Sequence, residues 1–521
     1  MANKLENIVV VGGGTAGWMT ALMVNTRIPT ANVTVVESDE IGILGAGEGS
    51  TPTFINFLNY VGIDMDDLIK HCGVTFKNGL KFTNWNGDGD EYYHEFSPVN
   101  LLNSDKMFHN KDNFGKHTLF YWLNVALNVE PNKFDFVSMV SDLNKAPFQH
   151  ILHLYPERSS ILDYRNVAAF GFHFDAGLIA SFFKGIALER GINRKEGKVV
   201  GATNNSKNDI ESLSLEDGSS VPVDFIFDCS GLHRLLIGKH YNSEWISSED
   251  ILTCNSALPF FLPIDETIPP YTECIALEYG WMWKIPLQNR YGCGYVFDSK
   301  YLSEEDAAKE IESYLGFEPT YPRKNKGAFK FNPGYYKETW INNCVAIGLS
   351  SGFMEPLEAT NIGVALINLT DALSDISGLT RRSPEDLKYY NNQVLKLNSE
   401  IAMFLHMHYL TQRQDSDFWV QFKDFKKTPE RLRVIMRSLN TSIPNVVGLS
   451  GWDSFNYGSF YQIALGIKKI NLELIKEAVE LNGLDSKVTN DFYAFRKHLE
   501  NEASLCLDHR EFLTELGGFK K

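Results

Sequence analysis

Three groups of residues in this chain have the types and spacing to do chemistry. Glycines surround a turn at Gly12-Gly13-Gly14-Thr15-Ala16-Gly17. Two tryptophans stand two apart in Gly280-Trp281-Met282-Trp283-Lys284-Ile285-Pro286. Two carboxylates lie in Gly352-Phe353-Met354-Glu355-Pro356-Leu357-Glu358, just before Ala359-Thr360-Asn361-Ile362. The glycine spacing is that of a dinucleotide site: Gly12 permits a tight bend, Gly14 lets the backbone approach a pyrophosphate, and Gly17 allows close helix packing. The positive end of the following helix then faces the phosphates. Glu37, about twenty residues further on, is placed to accept hydrogen bonds from the adenosine ribose hydroxyls. There is one such fingerprint, which leaves no evident second site for NAD(P)H. The turn alone suits a dehydrogenase as well as a flavoprotein.

The other two groups each admit a plainer explanation. Residues 352–362 read as an anion pocket with an adjacent base at a helix start, or equally as helix-capping acids on a solvated turn. On a strand Trp281 and Trp283 point to one face, and two tryptophans filling a core is the simpler account.

The elements needed to position these residues are visible in the apolar pattern. Ile8-Val9-Val10-Val11 is a buried strand, Trp18 to Val24 a helix, and Val33-Thr34-Val35-Val36 a second strand ending at Glu37, which closes a βαβ unit. Asp224 to Gly231 and Cys344 to Gly348 are two further short strands whose polar or small ends suit ligand contact. Thr253 to Phe331 reads as mostly antiparallel sheet, with turns at Pro269-Pro270 and Gln288-Asn289-Arg290. After about residue 380 the period becomes helical. Ser383-Pro384-Glu385-Asp386 supplies an N-cap, a first-position proline and acids in the first turn, and Val394, Leu397, Ile401, Phe404 and Leu405 follow at helical spacing.

Composition narrows the class. The 521 residues include 65 acidic and 49 basic side chains, a formal net charge of -16. Such a field repels phosphate backbones and anionic membranes, so neither nucleic acid nor a membrane is expected as a partner. Cys72, Cys229, Cys254, Cys274, Cys293, Cys344 and Cys506 are odd in number and show no Cys-x-x-Cys spacing, against a disulfide framework or a metal site. A reducing cytoplasm is the expected setting; a homo-oligomer is compatible with everything above.

Taken together, the motifs resemble those of the flavin-dependent halogenases of the tryptophan halogenase family. The opening Gly-Gly-Gly-Thr-Ala-Gly-Trp and Trp281-x-Trp283-x-Ile285-Pro286 match its two signature motifs. The likeness continues through Gly47-Glu48-Gly49-Ser50-Thr51-Pro52-Thr53, Thr75-Phe76-Lys77, His173-Phe174-Asp175, Asp228-Cys229-Ser230-Gly231, Asn343 to Leu349, Glu355-Pro356-Leu357-Glu358, His408-Tyr409 and Asp417-Phe418-Trp419. It implies an α/β fold: a Rossmann-type FAD-binding module of the flavin monooxygenase kind with an added antiparallel sheet over 1–380. A helical C-terminal module, 381–521, would cover the substrate site.

The resemblance also implies roles. Hypohalous acid made at the flavin from FADH2, O2 and halide would pass to Lys77, which as an ammonium or a haloamine halogenates an electron-rich aromatic. Without the motif Lys77 would read as one solvated lysine among many. Glu358 would sit near that lysine and polarise the oxidant or take the ring proton. Thr360 and Asn361 match the halide site, and Gly13, Ala16, Ser38, Ile41, Glu48, Gly49, Leu349 and Ile362 match FAD contacts. Trp281 and Trp283 would block a substrate from the flavin, which favours a relayed oxidant. A separate flavin reductase is the implied partner, and a small aromatic, indole or phenol, the implied substrate. An aromatic hydroxylase and a non-catalytic FAD-binding protein are the alternatives.

Two departures stand out. Ala359 replaces a serine and Asn361 a glycine of the family's Glu-Ser-Thr-Gly, which points to a halide preference shifted toward bromide or iodide over chloride. His94 and Phe96 keep the spacing of an aromatic pair that sandwiches indole, although a packed strand edge explains them equally. Trp452, Phe460 and Tyr461 are the neighbouring aromatics of the C-terminal module, and no clamp for a free amino acid can be placed.

Overall fold

The computed structural model describes residues 5–41, 47–96, 123–127, 136–146, 169–322, 327–374, 383–441, 455, 457–481 and 486–519. Two compact units interleave along the chain. One comprises Met1–Val74, Phe174–Ser256 and Ala328–Ser399; the other comprises Thr75–His173, Ala257–Gly327 and Glu400–Lys521.

The first unit is built on a six-stranded sheet in the order Trp340–Ile341, Cys344–Ala346, Phe225–Asp228, Asn7–Val11, Asn32–Glu37, Asn193–Glu196. Every neighbouring pair is parallel except the Trp340–Ile341 edge. Ile8 to Val11 are buried, as a central strand covered on both faces must be, and this is why they read as an unbroken apolar run. Chain order reverses on either side of Asn7–Val11, so a ligand crevice opens outside its carboxyl end. The glycine turn occupies that place and leads into the helix Thr15–Arg27.

In the second unit Ser256–Leu262, Tyr291–Phe297, Gly280–Pro286, Thr272–Ala276, Gly79–Thr83 and Glu91–Glu95 lie side by side in that order. The turn expected at 288–290 closes a hairpin, with Leu287 N–H donating to Arg290 O. Two corrections apply to the expectation of antiparallel sheet over 253–331. A helix, Glu304–Leu315, interrupts it, capped by Ser303, whose hydroxyl accepts from Asp306 N–H. The sheet also recruits Gly79–Thr83, and its pairing with Thr272–Ala276 is parallel.

Helices dominate the C-terminal third. Ser383 caps the helix Pro384–His408: its hydroxyl oxygen accepts from Asp386 N–H at 3.1 Å, and the Asp386 carboxylate accepts from Ser383 N–H at 3.2 Å. That reciprocal pair is a capping box. Phe418 and Trp419 are buried in the short helix Asp417–Val420. Trp419 meets Trp85 and Tyr409 at centroid separations of 5.7 and 6.0 Å, so these residues of the resembling motifs serve the core. No helix among the described residues is long and apolar enough to cross a membrane.

Candidate active site

The first unit carries a cradle for a dinucleotide. Gly12 has φ +118°, and a Cβ there would lie 2.2 Å from Cys229 O; at Gly17 it would lie 1.9 Å from Gly12 O. Both positions are closed to any side chain by backbone. Gly14 is the opposite case, since a Cβ there meets nothing within 4 Å. Gly14 is also the N-cap of Thr15–Arg27, with no side-chain cap and no acid in the first turn. Uncapped amides at the positive end of a helix, beneath open space, are suited to a pyrophosphate. On these grounds the residues fit FAD.

Other expected contacts gather around this turn. A Cβ at Gly348 would touch Ala16 at 3.0 Å, which brings the loop bearing Leu349 onto the first turn of the helix. Ser38 and Ile41 lie in the turn after Asn32–Glu37, where Ile41 N–H donates to Ser38 O at 3.2 Å and the Ile41 side chain is exposed. Glu37 itself is engaged within the protein. Its Oε1 accepts from Lys184 Nζ and Arg194 Nε, both at 2.5 Å, and its Oε2 lies so close to Gly13 that a Cβ there would be 1.5 Å away. Lys184 and Arg194 had no signal in the sequence. Asp228, at the end of its strand, is likewise occupied: it accepts from Ser230 N–H and O–H and from Leu236 and Ile237 N–H.

Glu48 and Gly49 form the short strand Gly47–Gly49. Withdrawal from water, with Asp175 adding its negative charge, pushes the Glu48 carboxyl up to about 7. Two residues on, Thr51 and Thr53 share a 2.6 Å hydrogen bond between hydroxyls, and Gly363 of the helix Thr360–Ser374 packs on them: a Cβ there would meet Thr51 Oγ1 at 2.8 Å. This contact joins the Glu48 loop to the helix that begins at the expected halide residues, Thr360 and Asn361, and carries the half-turn-distant Ile362 on its buried side.

The segment before that helix is strained. Glu358 has φ +66° and Ala359 φ +52°, a left-handed conformation unusual for residues with a Cβ. Glu355 and Glu358 are both buried, which rules out the reading of capping acids on a solvated turn. Consecutive strained residues of this kind concentrate at ligand sites.

The second unit holds the lysine. Lys77 ends the strand Thr75–Lys77 and is 0% exposed, so it is not a solvated surface lysine. Its Nζ stands 5.0 Å from the centroid of the Phe96 ring, within range of a cation–π contact. Phe96 N–H donates to Asn78 O at 3.1 Å, which fixes the two segments side by side. His94, on the strand Glu91–Glu95, faces Phe404 at 5.5 Å and Phe455 at 6.2 Å, and Phe404 in turn packs edge-on against Phe460 at 4.9 Å. Tyr461 is buried in the same helix, Tyr457–Gly466. His94 and Phe460 are thus gathered into one aromatic region with Phe404 and Phe455, while Phe96 stands beside Lys77. Phe404 was visible only as a helix-core position and Phe455 gave no signal. Trp452 lies outside the described residues.

Trp281 and Trp283 are buried on the Gly280–Pro286 strand, their rings 6.3 Å apart. Trp283 lies across Gly294, where a Cβ would meet its ring at 2.1 Å. Core filling is part of their role, since Trp281 also meets Trp85 at 6.5 Å. Their indole N–H groups differ from others in the unit. Trp85 Nε1 donates to Cys274 O and Trp419 Nε1 to Leu277 O, both at 2.9 Å, whereas among the described residues neither Trp281 Nε1 nor Trp283 Nε1 has a hydrogen-bond partner. Ile285 and Pro286 end the strand, and the Pro286 carbonyl accepts from the Thr75 hydroxyl at 2.7 Å.

The first unit thus carries a dinucleotide cradle at a sheet switch point and a strained loop with two buried glutamates, and the second carries a fully buried lysine beside the Phe96 ring. The model of the tryptophan halogenase family matches residues 7–478. Tryptophan 7-halogenase RebH of Lentzea aerocolonigenes is 30% identical over 456 residues, spanning 82% of this chain and 80% of its own. Xcc4156, a flavin-dependent halogenase from Xanthomonas campestris, is similar in structure with a TM-score of 0.85 at 27% identity, covering 99% of both chains. Tryptophan 6-halogenase SttH from Streptomyces toxytricini gives a TM-score of 0.83 at 27% identity, covering 98% of this chain and 99% of its own. The chain belongs to the tryptophan halogenase family. It is a flavin-dependent halogenase that uses FADH2, halide and O2, and its chemistry requires a flavin reductase and an aromatic substrate.

Proposed function

We propose that this chain is the halogenating component of a two-component system, supplied with FADH2 by a separate reductase and acting on an electron-rich indole or phenol. When bound, the reduced flavin supplies the electrons by which O2 and halide become hypohalous acid. Gly12, Gly13, Gly14, Ala16 and Gly17 hold its phosphates, with Ser38, Ile41, Glu48, Gly49, Leu349 and Ile362 as further contacts; Glu37 backs the glycine turn. Thr360 and Asn361 hold the halide. Lys77 receives the oxidant and directs it to the ring, either by donating a hydrogen bond that makes the halogen more electrophilic or by carrying it as a haloamine. Glu358 polarises the oxidant or takes the ring proton as aromaticity returns. His94, Phe96, Phe460 and Tyr461 form the aromatic lining for the substrate, and the helical segment 381–521 covers it. The halogen replaces a ring hydrogen and the hypohalous oxygen leaves as water. The setting is cytoplasmic.

The observation that carries this reading is the burial of Lys77 beside the Phe96 ring, in the unit that also packs His94 against Phe404 and Phe455. A lysine withdrawn from water beside aromatic surface is costly for structure alone and suited to handling a small electrophile. The test is a panel of indoles and phenols with FAD, a generic reductase and each halide in turn, read by product mass. Halogenated arene is expected. Oxygenated arene would make the chain a hydroxylase; flavin oxidation without arene product in any halide would make it a non-catalytic FAD protein. Mixed-halide competition tests the loop: Ala359 and Asn361 lead to bromide or iodide incorporation exceeding chloride, and strict preference for chloride would refute that part.

A further inference from the structure

The strand that carries Lys77 is three residues long and lies antiparallel to Gly171–Asp175, with Thr75 opposite His173. So short a strand cannot by itself hold one side chain to the tolerance a reactive group needs. His173 is fully buried at this place. Its Nδ1 stands 3.1 Å from Thr75 Oγ1, and its Nε2 stands 2.8 Å from Thr272 Oγ1. The Thr75 hydroxyl donates its single proton to Pro286 O. It can therefore only accept from His173, which puts the imidazole proton on Nδ1 and leaves Nε2 to accept from the Thr272 hydroxyl. The bonds Thr272–His173–Thr75–Pro286 thereby tie the lysine strand to three others, one of them the strand bearing Trp281 and Trp283.

We propose that His173 is a positioning residue for Lys77: through Thr75 it fixes the lysine strand against Pro286, and so aims the ammonium or haloamine at the arene. The inference rests on the role given to Lys77 above. Burial, with Lys77 and His509 nearby, holds the His173 imidazole well below its ordinary range, so the tautomer assigned by the hydrogen bonds persists at neutral pH. His509 steadies the opposite edge. Its Nε2 accepts from Phe76 N–H at 3.1 Å while its Nδ1 donates to Ile268 O at 3.0 Å, and burial lowers this ring to about 4.

The experiment uses the full chain with FAD, a reductase, bromide and either indole or phenol. Three quantities are followed: halogenated arene, flavin oxidised, and free hypohalous acid trapped by monochlorodimedone. His173→Ala is expected to lower halogenated arene per flavin oxidised about tenfold and raise trapped oxidant to match, with the flavin oxidation rate and the arene KM within about twofold of wild type. His173→Asn, whose amide N–H can replace Nδ1 toward Thr75, recovers most of the coupling. Where His173→Ala does not fold, Thr75→Val against Thr75→Ser decides the matter in the same way, with coupling lost in the first and kept in the second. Coupling equal to wild type, or parallel loss of flavin oxidation and product, overturns the inference. Lys77→Ala run alongside separates the two failures: surviving product overturns the lysine reading and the inference with it, while product lost there with coupling intact in His173→Ala overturns the inference alone.

Discussion

The two units solve the problem of making a site in different materials. The cradle of the first is made of backbone: amides at a helix start, a bend that admits no side chain at Gly12 or Gly17, open space over Gly14, and two residues forced to positive φ before Thr360. The lysine of the second is set among side chains: Phe96 lies beside it, and its strand is held by the hydroxyl of Thr75 and the imidazoles of His173 and His509. A backbone site tolerates no added atom but asks little of side-chain identity. A side-chain site is the reverse: its space is filled by specific groups, and loss of one leaves the rest folded but misdirected.

The sharpest test of that contrast is at Lys77. Lys77→Ala is expected to lower arene halogenation by about 10³-fold or more while flavin is still reoxidised by O2, measured by product mass beside oxygen uptake. Normal product formation would overturn the role proposed for Lys77. In the backbone site the same small change acts on binding. Gly12→Ala would force a Cβ to within 2.2 Å of Cys229 O, and the expected result is loss of FAD binding with much of the fold. Gly14→Ala adds a Cβ to open space, so it should keep the apo-protein Tm and weaken FAD affinity by roughly tenfold, about 1.4 kcal/mol. A Gly14→Ala protein that binds FAD normally would show that the pyrophosphate does not approach there.

The same contrast explains what could be read from the sequence. Glycines at fixed short spacing report a local backbone need, and so the turn, its strand and its helix were legible, as was the Ser383 cap. The residues around Lys77 were not: Phe76 and His509, which share a hydrogen bond, are 433 positions apart, and no periodicity carries a signal over that distance. Resemblance to a family pointed to Lys77, His94 and Phe96, but it did not supply His173 as a partner of Thr75, nor Phe455. Glu37 was legible as an acid at the end of the second strand; that Lys184 and Arg194 would hold it was not.

Glu48, proposed above as a flavin contact, tests whether its loop is tuned electrically. Its carboxyl is raised from 4.5 to about 7 in the folded chain, so the folded state binds this proton more tightly than the unfolded state does. The contribution to stability is complete below about pH 4.5 and is lost as pH rises through about 7, a change of at most about 3.4 kcal/mol at 1.36 kcal/mol per unit. Glu48→Gln removes that dependence. Urea denaturation of the ligand-free protein should find the variant no more stable than wild type near pH 4.5 and more stable at pH 8. Parallel pH profiles would mean that the carboxyl is well solvated and the loop is not tuned there.

The smallest effect is expected where backbone and chemistry compete most closely, at Ala359. Its φ of +52° lies in the left-handed region, which costs a residue with a Cβ about 1 kcal/mol. Glycine relieves that strain but gives back part of the gain through the greater freedom of the unfolded chain. Ala359→Gly should therefore stabilise by about 0.5 kcal/mol and raise Tm by roughly one degree. If the strain serves only to turn the chain, halide use is unchanged. If it holds the amides of Thr360 and Asn361 toward an anion, a looser loop binds halide less well, and the KM for bromide should rise about threefold, or roughly 0.65 kcal/mol, even as Tm rises. The second outcome is expected, because two successive non-glycine residues keep positive φ directly before those amides when a glycine would have relieved the strain. A higher Tm with an unaltered bromide KM would assign the strain to the fold alone and move the halide site away from this loop.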